Sequence, residues 1–180
     1  MSHQSSSSRP SLDPFRFAAE ARTQSGTVKV ADLPRLADAL ATVVGELSWR
    51  LEGSMSGGQF RQHGGSRAEP RLRLQVDGQL GLACQRCLGE LSWTLAIDTT
   101  LQPVREGQPI AEDELENDEF DAIEVGDSLD LFSLVEDEVL LALPLVARHE
   151  HCELPREFNG AREESPFAAL APLRGSRRAD

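Results

Sequence analysis

The chain has 180 residues, which suits one compact domain with tails rather than two domains. Hydrophobic residues make up 39% of the sequence, yet no apolar run approaches the roughly 20 residues of a membrane-spanning helix. The formal net charge of −12 argues against a non-specific nucleic-acid binder, although a local basic patch is compatible with it. The polar start of the chain lacks the layout of a signal peptide, so we expect a cytoplasmic protein.

The N-terminal part combines a polar tail with short elements. Residues 1–10 are Ser-rich, and we expect them to form a disordered tail before a single domain that spans residues 11–152. Pro14 is placed for the start of a short helix. Thr27 to Val30 alternates like a strand, and Asp32 to Val44 has the apolar spacing of a helix.

Alternating apolar residues in the middle of the chain predict strands, because successive side chains of a strand point to opposite faces. The Asp77-Gly78 pair is typical of a two-residue hairpin turn within this region. The sequence therefore predicts an α+β fold with a few helices packed on a central antiparallel sheet that could curve toward a barrel. The alternating residues are Leu47, Trp49, Leu51, Leu72, Leu74, Val76, Leu91, Trp93, Leu95 and Ile97.

An acidic stretch without Lys or Arg extends over residues 106–147. Its first part, about 106–120, is expected to be a mobile loop that solvates its carboxylates rather than a cation site, and residues 122–125 are expected to form a strand. A helix should follow, capped by Asp127 or Ser128 and ended by Pro144. Its buried stripe is expected to contain Leu131, Leu134, Val135, Val139 and Leu143. Residues 153–180 are expected to form a polar C-terminal tail with a short apolar segment, PFAALAPL.

The three cysteines form the most informative motif. Cys84 and Cys87 form a CxxC after a predicted strand, and a His/Cys group follows the predicted helix far downstream: His149, His151 and Cys152. Two thiolates on a turn and a distant His/Cys pair are a suitable ligand set for structural zinc, with either histidine as the fourth ligand. Two alternatives stay open, namely reduced cysteines without a metal and a thiol redox site.

Other candidate chemistry is limited. Arg71 and Arg73 share one strand face and Arg86 lies between the cysteines, so these arginines could contact RNA phosphates or could simply be solvated. One carboxylate of the run Glu136 to Glu138 could be buried in a specific pair. No nucleotide-binding or hydrolase motif is found, and we do not expect an enzyme with catalytic residues.

Several motifs together resemble the YceD family, the large ribosomal RNA subunit accumulation proteins. These are LACQRCL, the stretch DAIEVGDSLDLFSLVEDEVLLALPLVARHEHC and SPFAALAPLR, so that the similarity covers roughly residues 11–174. The resemblance implies a role in the synthesis, processing or stability of 23S rRNA, with rRNA or assembly intermediates as partners, and metal binding. Two alternatives are an acidic adaptor or chaperone that holds a basic partner, such as a ribosomal protein, without touching RNA, and a thiol redox protein.

Overall fold

The computed structural model describes residues 9–57, 68–108 and 119–153. Within these ranges the helices are α1 (Pro14–Ala19), α2 (Pro34–Ala39) and α3 (Leu131–Ala142), and a 3-10 turn, Val30–Asp32, precedes α2. The strands are β1 (Ser11–Leu12), β2 (Thr23–Lys29), β3 (Glu46–Ser56), β4 (Glu69–Ala83), β5 (Glu90–Arg105), β6 (Asp121–Val125) and β7 (Leu129–Asp130). None of the helices in these ranges is long and apolar enough to cross a membrane.

A five-stranded sheet in the order β2-β3-β4-β5-β6 forms the centre of the fold. The first four strands are antiparallel neighbours, and β6 joins β5 in parallel. A separate two-stranded ladder pairs β1 with β7 and so ties the start of the described chain to the start of α3. The architecture confirms the predicted α+β class, and the sheet stays open instead of closing into a barrel.

The core lies between one face of the sheet and the helices. Leu51 of β3 pairs with Leu74 of β4, and both are fully buried, as the alternation predicts. Phe17 and Ala18 of α1 and four residues of α3 complete the same core, and Leu143 is half-buried where α3 ends. The four core residues of α3 are Leu131, Leu134, Val135 and Val139.

The hairpin predicted at Asp77-Gly78 is wrong, because β4 continues through both residues to Ala83. A tight hairpin turn of the type favoured by Asp-Gly needs positive φ, and Gly78 does not have it. Its missing side chain serves packing instead, since a Cβ at Gly78 would overlap the Leu47 side chain. The chain reverses later, between Ala83 and Glu90, where the CxxC motif lies.

The predicted helix boundaries also need correction. Asp130 caps α3, rather than Asp127 or Ser128, because its carboxylate accepts the backbone amide of Ser133 at 3.0 Å. The earlier helix is shorter than Asp32 to Val44, since α2 begins at Pro34, where proline is favoured, and ends at Ala39. The expected tail 1–10, the loop 106–120 and the C-terminal tail lie largely outside the described residues, so their order stays a prediction.

Candidate metal centre

The turn between β4 and β5 positions the first two cysteines. The amide of Cys84 donates to the carbonyl of Gly89 at 2.8 Å, and the amide of Leu88 donates back to the carbonyl of Cys84 at 2.8 Å. Leu88 has a φ of 59°, a left-handed conformation that tightens the reversal. The two side chains of the CxxC motif consequently face one point at the end of the sheet.

The chain that follows α3 brings His149 and Cys152 to the same point. Pro144 prevents continuation of the helix, and the next residues lie against the cysteine turn. The amide of Gln85 donates to the carbonyl of Ala147 at 2.8 Å, and its side-chain amide donates to the carbonyl of Leu145 at 3.2 Å. These two bonds hold His149 and Cys152 beside the CxxC turn.

Four side chains converge there: Cys84, Cys87, His149 and Cys152 have ligand atoms within 4.8 Å of one another. In a tetrahedral zinc site with Zn–S distances of about 2.3 Å, two sulfurs are separated by about 3.8 Å. The Sγ atoms of Cys84 and Cys152 are 3.8 Å apart, and Cys87 Sγ is 3.4 Å from His149 Nδ1. The donor set and its spacing therefore fit a closed tetrahedral metal site.

The hydrogen bond of the distal ring nitrogen fixes the tautomer of His149. Its Nε2 atom lies 3.0 Å from the backbone carbonyl oxygen of Glu90, and a carbonyl oxygen can only accept. The Nε2 atom must therefore carry a hydrogen, and in the neutral imidazole the lone pair of Nδ1 is then directed toward the cysteines. This orientation of a ligating histidine by a backbone carbonyl is a common second contact around protein metal sites.

Cys84 is prepared to act as a thiolate. Its pKa is lowered to about 5 by the backbone amide of Cys87 and further by those of His149 and Arg86, against the effect of burial. The pKa of Cys152 is raised to about 11 by desolvation and by the two neighbouring cysteines. A divalent cation would offset the negative charge that several thiolates in this space create.

The structure thus brings together four of the five residues proposed as ligands. His151, the fifth, is exposed and is not part of the group, so the two histidines are distinguished by position. The three cysteines are free rather than joined in disulfides.

Comparison with known proteins identifies the family. The model of the family described as "Large ribosomal RNA subunit accumulation protein YceD" matches residues 72–174, which include all the proposed metal ligands. The chain belongs to the YceD family. A curated relative from Haemophilus influenzae, named Large ribosomal RNA subunit accumulation protein YceD, is 31% identical over 91% of this chain and 94% of its own length. No solved structure matches the chain.

The arginines considered for RNA contact in this YceD-family chain have different surroundings. The Arg71 side chain is 15% exposed, lies over the Phe120 ring at 3.7 Å and donates to Gln102. Arg73 forms a two-bond ion pair with Asp98. Arg86 is exposed on the cysteine turn and forms no ion pair within the described residues.

Sequence reasoning did not locate the partner of the buried carboxylate in the run Glu136 to Glu138, which is that of Glu136. Glu136 accepts the backbone amides of Arg35 and Leu36, at 2.7 and 3.1 Å, and pairs with the Arg35 side chain at 3.0 Å. Asp137 pairs with the same guanidinium. The only signal was the run of acids on an apolar helix, which suggests a buried pair but does not name α2 as the partner.

Proposed function

We propose that this chain is a non-catalytic, cytoplasmic factor that supports the synthesis, processing or stability of 23S rRNA of the large ribosomal subunit. The single observation that carries the proposal is the family match over residues 72–174 together with the similarity to the Haemophilus relative along most of both chains. The name of that relative refers to accumulation of large-subunit rRNA. The partners of this chain would then be large-subunit rRNA or its assembly intermediates, together with a basic ribosomal protein.

Zinc is the metal that suits the cluster best. Three thiolates and one imidazole are soft and borderline ligands, which favour zinc over magnesium or calcium. We propose that Cys84, Cys87, His149 and Cys152 hold one zinc ion, in which case all four coordination positions come from the protein. Such a site has no open position for a substrate, so the ion would connect the end of the sheet to the chain that follows α3.

We propose that direct contact with RNA begins at Arg86. The guanidinium of Arg86 is exposed, whereas those of Arg71 and Arg73 are already engaged by Phe120 and Asp98. A phosphate would have to displace the carboxylate of Asp98 before it could pair with Arg73, which lowers the gain from that contact.

A second candidate is an adaptor that holds a basic partner protein without touching RNA. The pairing of two arginines on the sheet favours it, because Arg50 and Arg73 already form ion pairs with Glu52 and Asp98. The absence of Lys and Arg from residues 106–147 agrees with a basic partner. Such an adaptor would support large-subunit assembly through contact with a basic protein instead of contact with rRNA.

One experiment separates the two candidates. Tagged full-length protein is crosslinked in growing cells, purified with and without RNase treatment, and the attached RNA and proteins are both identified. The rRNA-binding account predicts crosslinks to 23S rRNA that involve the cysteine turn and are weakened by Arg86→Gln. Recovery of a basic protein after RNase treatment, with no 23S crosslinks, would instead favour the adaptor.

A further inference from the structure

Exposed large apolar side chains are concentrated at one end of the described molecule. Met55 alone lies at the opposite end of the sheet, near the end of β3, where it pairs with Pro70. The others surround the end that carries the cysteines: Val43, Val44, Leu88, Leu141, Leu145 and Val146. Single exposed apolar residues are normal, whereas an accumulation at one place marks a surface that something covers.

Four of these residues lie on the cysteine turn or on the chain from the end of α3 that runs beside it, and we call them the apolar rim: Leu88, Leu141, Leu145 and Val146. Leu88 lies on the cysteine turn, and the backbone of Leu145 accepts a hydrogen bond from Gln85 of the same turn. Val146 follows directly, and Leu141 is in the last turn of α3, four residues before Leu145. Leu145 is 96% exposed and Leu141 80% exposed, so neither contributes to the core described above.

We propose that residues 166–173 of the same chain cover the apolar rim. The described chain ends at Glu153, directly after the ligand Cys152 and therefore beside the rim. The 12 residues from 154 to 165 can extend to about 40 Å, which is ample for a return to Leu145 or Leu88. The occupant is thus tethered close to the surface, and the tether gives it a high effective concentration there.

The sequence of the segment suits this surface. Residues 166–173 read PFAALAPL and contain no charged side chain, unlike the chain on either side, where Glu163, Glu164 and Arg174 stand. Phe167, Leu170 and Leu173 supply three large apolar side chains within seven residues. The family match over residues 72–174 includes this segment as well as the cysteines and α3.

A rim covered in cis would complete the surface of the chain whether or not the chain acts on rRNA, and it would limit association through exposed leucines and valine. A second copy of the chain is the main competing occupant, and its binding would depend on protein concentration.

Amide hydrogen exchange of the full-length protein, purified without chelators, tests the proposal. We expect amides within 166–173 to exchange at least tenfold more slowly than unstructured peptide, at the same rate over a hundredfold range of protein concentration. Leu145→Ser and Leu141→Ser should each remove most of this protection. Phe167→Ser should do the same from the other side of the contact.

Met55→Ser is the matched control, since it replaces an exposed apolar residue far from the rim. It should leave protection of 166–173 unchanged. Exchange of the segment at the rate of unstructured peptide would overturn the proposal. So would protection that rises with protein concentration, which indicates a second copy, or protection that survives both rim substitutions.

Discussion

The carboxylate of Glu136 in α3 accepts a hydrogen bond of 3.1 Å from the backbone amide of Leu36 at the start of α2. A second amide, that of Arg35, donates to the same oxygen at 2.7 Å. The first amides of a helix have no partner inside the helix, and Leu33, which precedes α2, provides no side-chain cap. One helix therefore supplies the missing cap of another, which fixes their relative position in the fold.

Glu136→Ala should destabilise the protein by about 3 kcal/mol, because it leaves two amides without partners and opens a cavity beside the core. Glu136→Gln keeps an acceptor oxygen and should cost about 1 kcal/mol. Asp137→Asn alters the more exposed half of the contact with Arg35 and serves as the control, with an expected effect below about 1 kcal/mol. Urea unfolding followed by tryptophan fluorescence measures all three. Equal stability of Glu136→Ala and wild type would refute the capping role.

The cysteine cluster predicts one zinc ion per chain in protein purified without chelators. Cys84→Ser should lose it, and removal of the ion by a chelator should lower the midpoint of thermal unfolding, since binding energy is folding energy in such a site. His149→Ala should weaken binding strongly. His151→Ala is the matched control and should retain the full metal content. Elemental analysis far below one zinc per wild-type chain would leave the cluster as reduced cysteines.

Close packing of α1 on β3 depends on a glycine. A Cβ at Gly53 would lie 2.6 Å from the backbone oxygen of Phe17 and 2.8 Å from its ring, and a backbone atom cannot move aside easily. Gly53→Ala should therefore destabilise the fold by about 2 kcal/mol. Gly126→Ala is the control, because nothing lies within 4 Å of a Cβ there. Similar unfolding midpoints in urea for the two variants would contradict this packing.

The ion pair between Arg73 and Asp98, on the solvent-exposed face of the sheet, predicts that stability depends on pH. Arg73 holds the pKa of Asp98 down to about 2, with a further hydrogen bond from Gln75. A lowered carboxyl pKa adds stability above the usual value of about 4, and this gain is lost as the pH falls toward 2. Arg73→Gln should raise the pKa of Asp98 toward 4, as measured by carboxyl NMR titration. An unchanged low pKa in the variant would show that Arg73 is not the cause.

How much of this structure the sequence predicts depends on how far apart in sequence the interacting residues lie. Alternation correctly identified the buried faces of β3 and β4, because strand periodicity is local. The Asp77-Gly78 pair led to a wrong hairpin prediction. The contact with Leu47 that requires glycine at position 78 joins residues far apart in sequence, so no local pattern indicates it. The parallel pairing of β6 with β5 also depends on how distant segments meet, and the sequence predicted a strand at residues 122–125 but not its partner.

The candidate site was predictable to a similar extent. The types and spacing of the cysteines indicated a site for one metal ion. The helix end predicted at Pro144 indicated that the His/Cys group could reach the CxxC motif. The choice between His149 and His151 needed the hydrogen bonds of Gln85, which set the path of the loop. The pairing of Glu136 with α2 joins residues a hundred positions apart in sequence, and no local pattern reports that.

The ratio of mature 23S to 16S rRNA in a strain that lacks this chain tests the central claim most directly. We predict a lower ratio and fewer large subunits in the deletion strain, and restoration by the wild-type gene. Cys84→Ser should restore less than wild type at equal expression, and His151→Ala should restore fully. A deletion strain with an unchanged 23S to 16S ratio and a normal subunit profile would contradict the account.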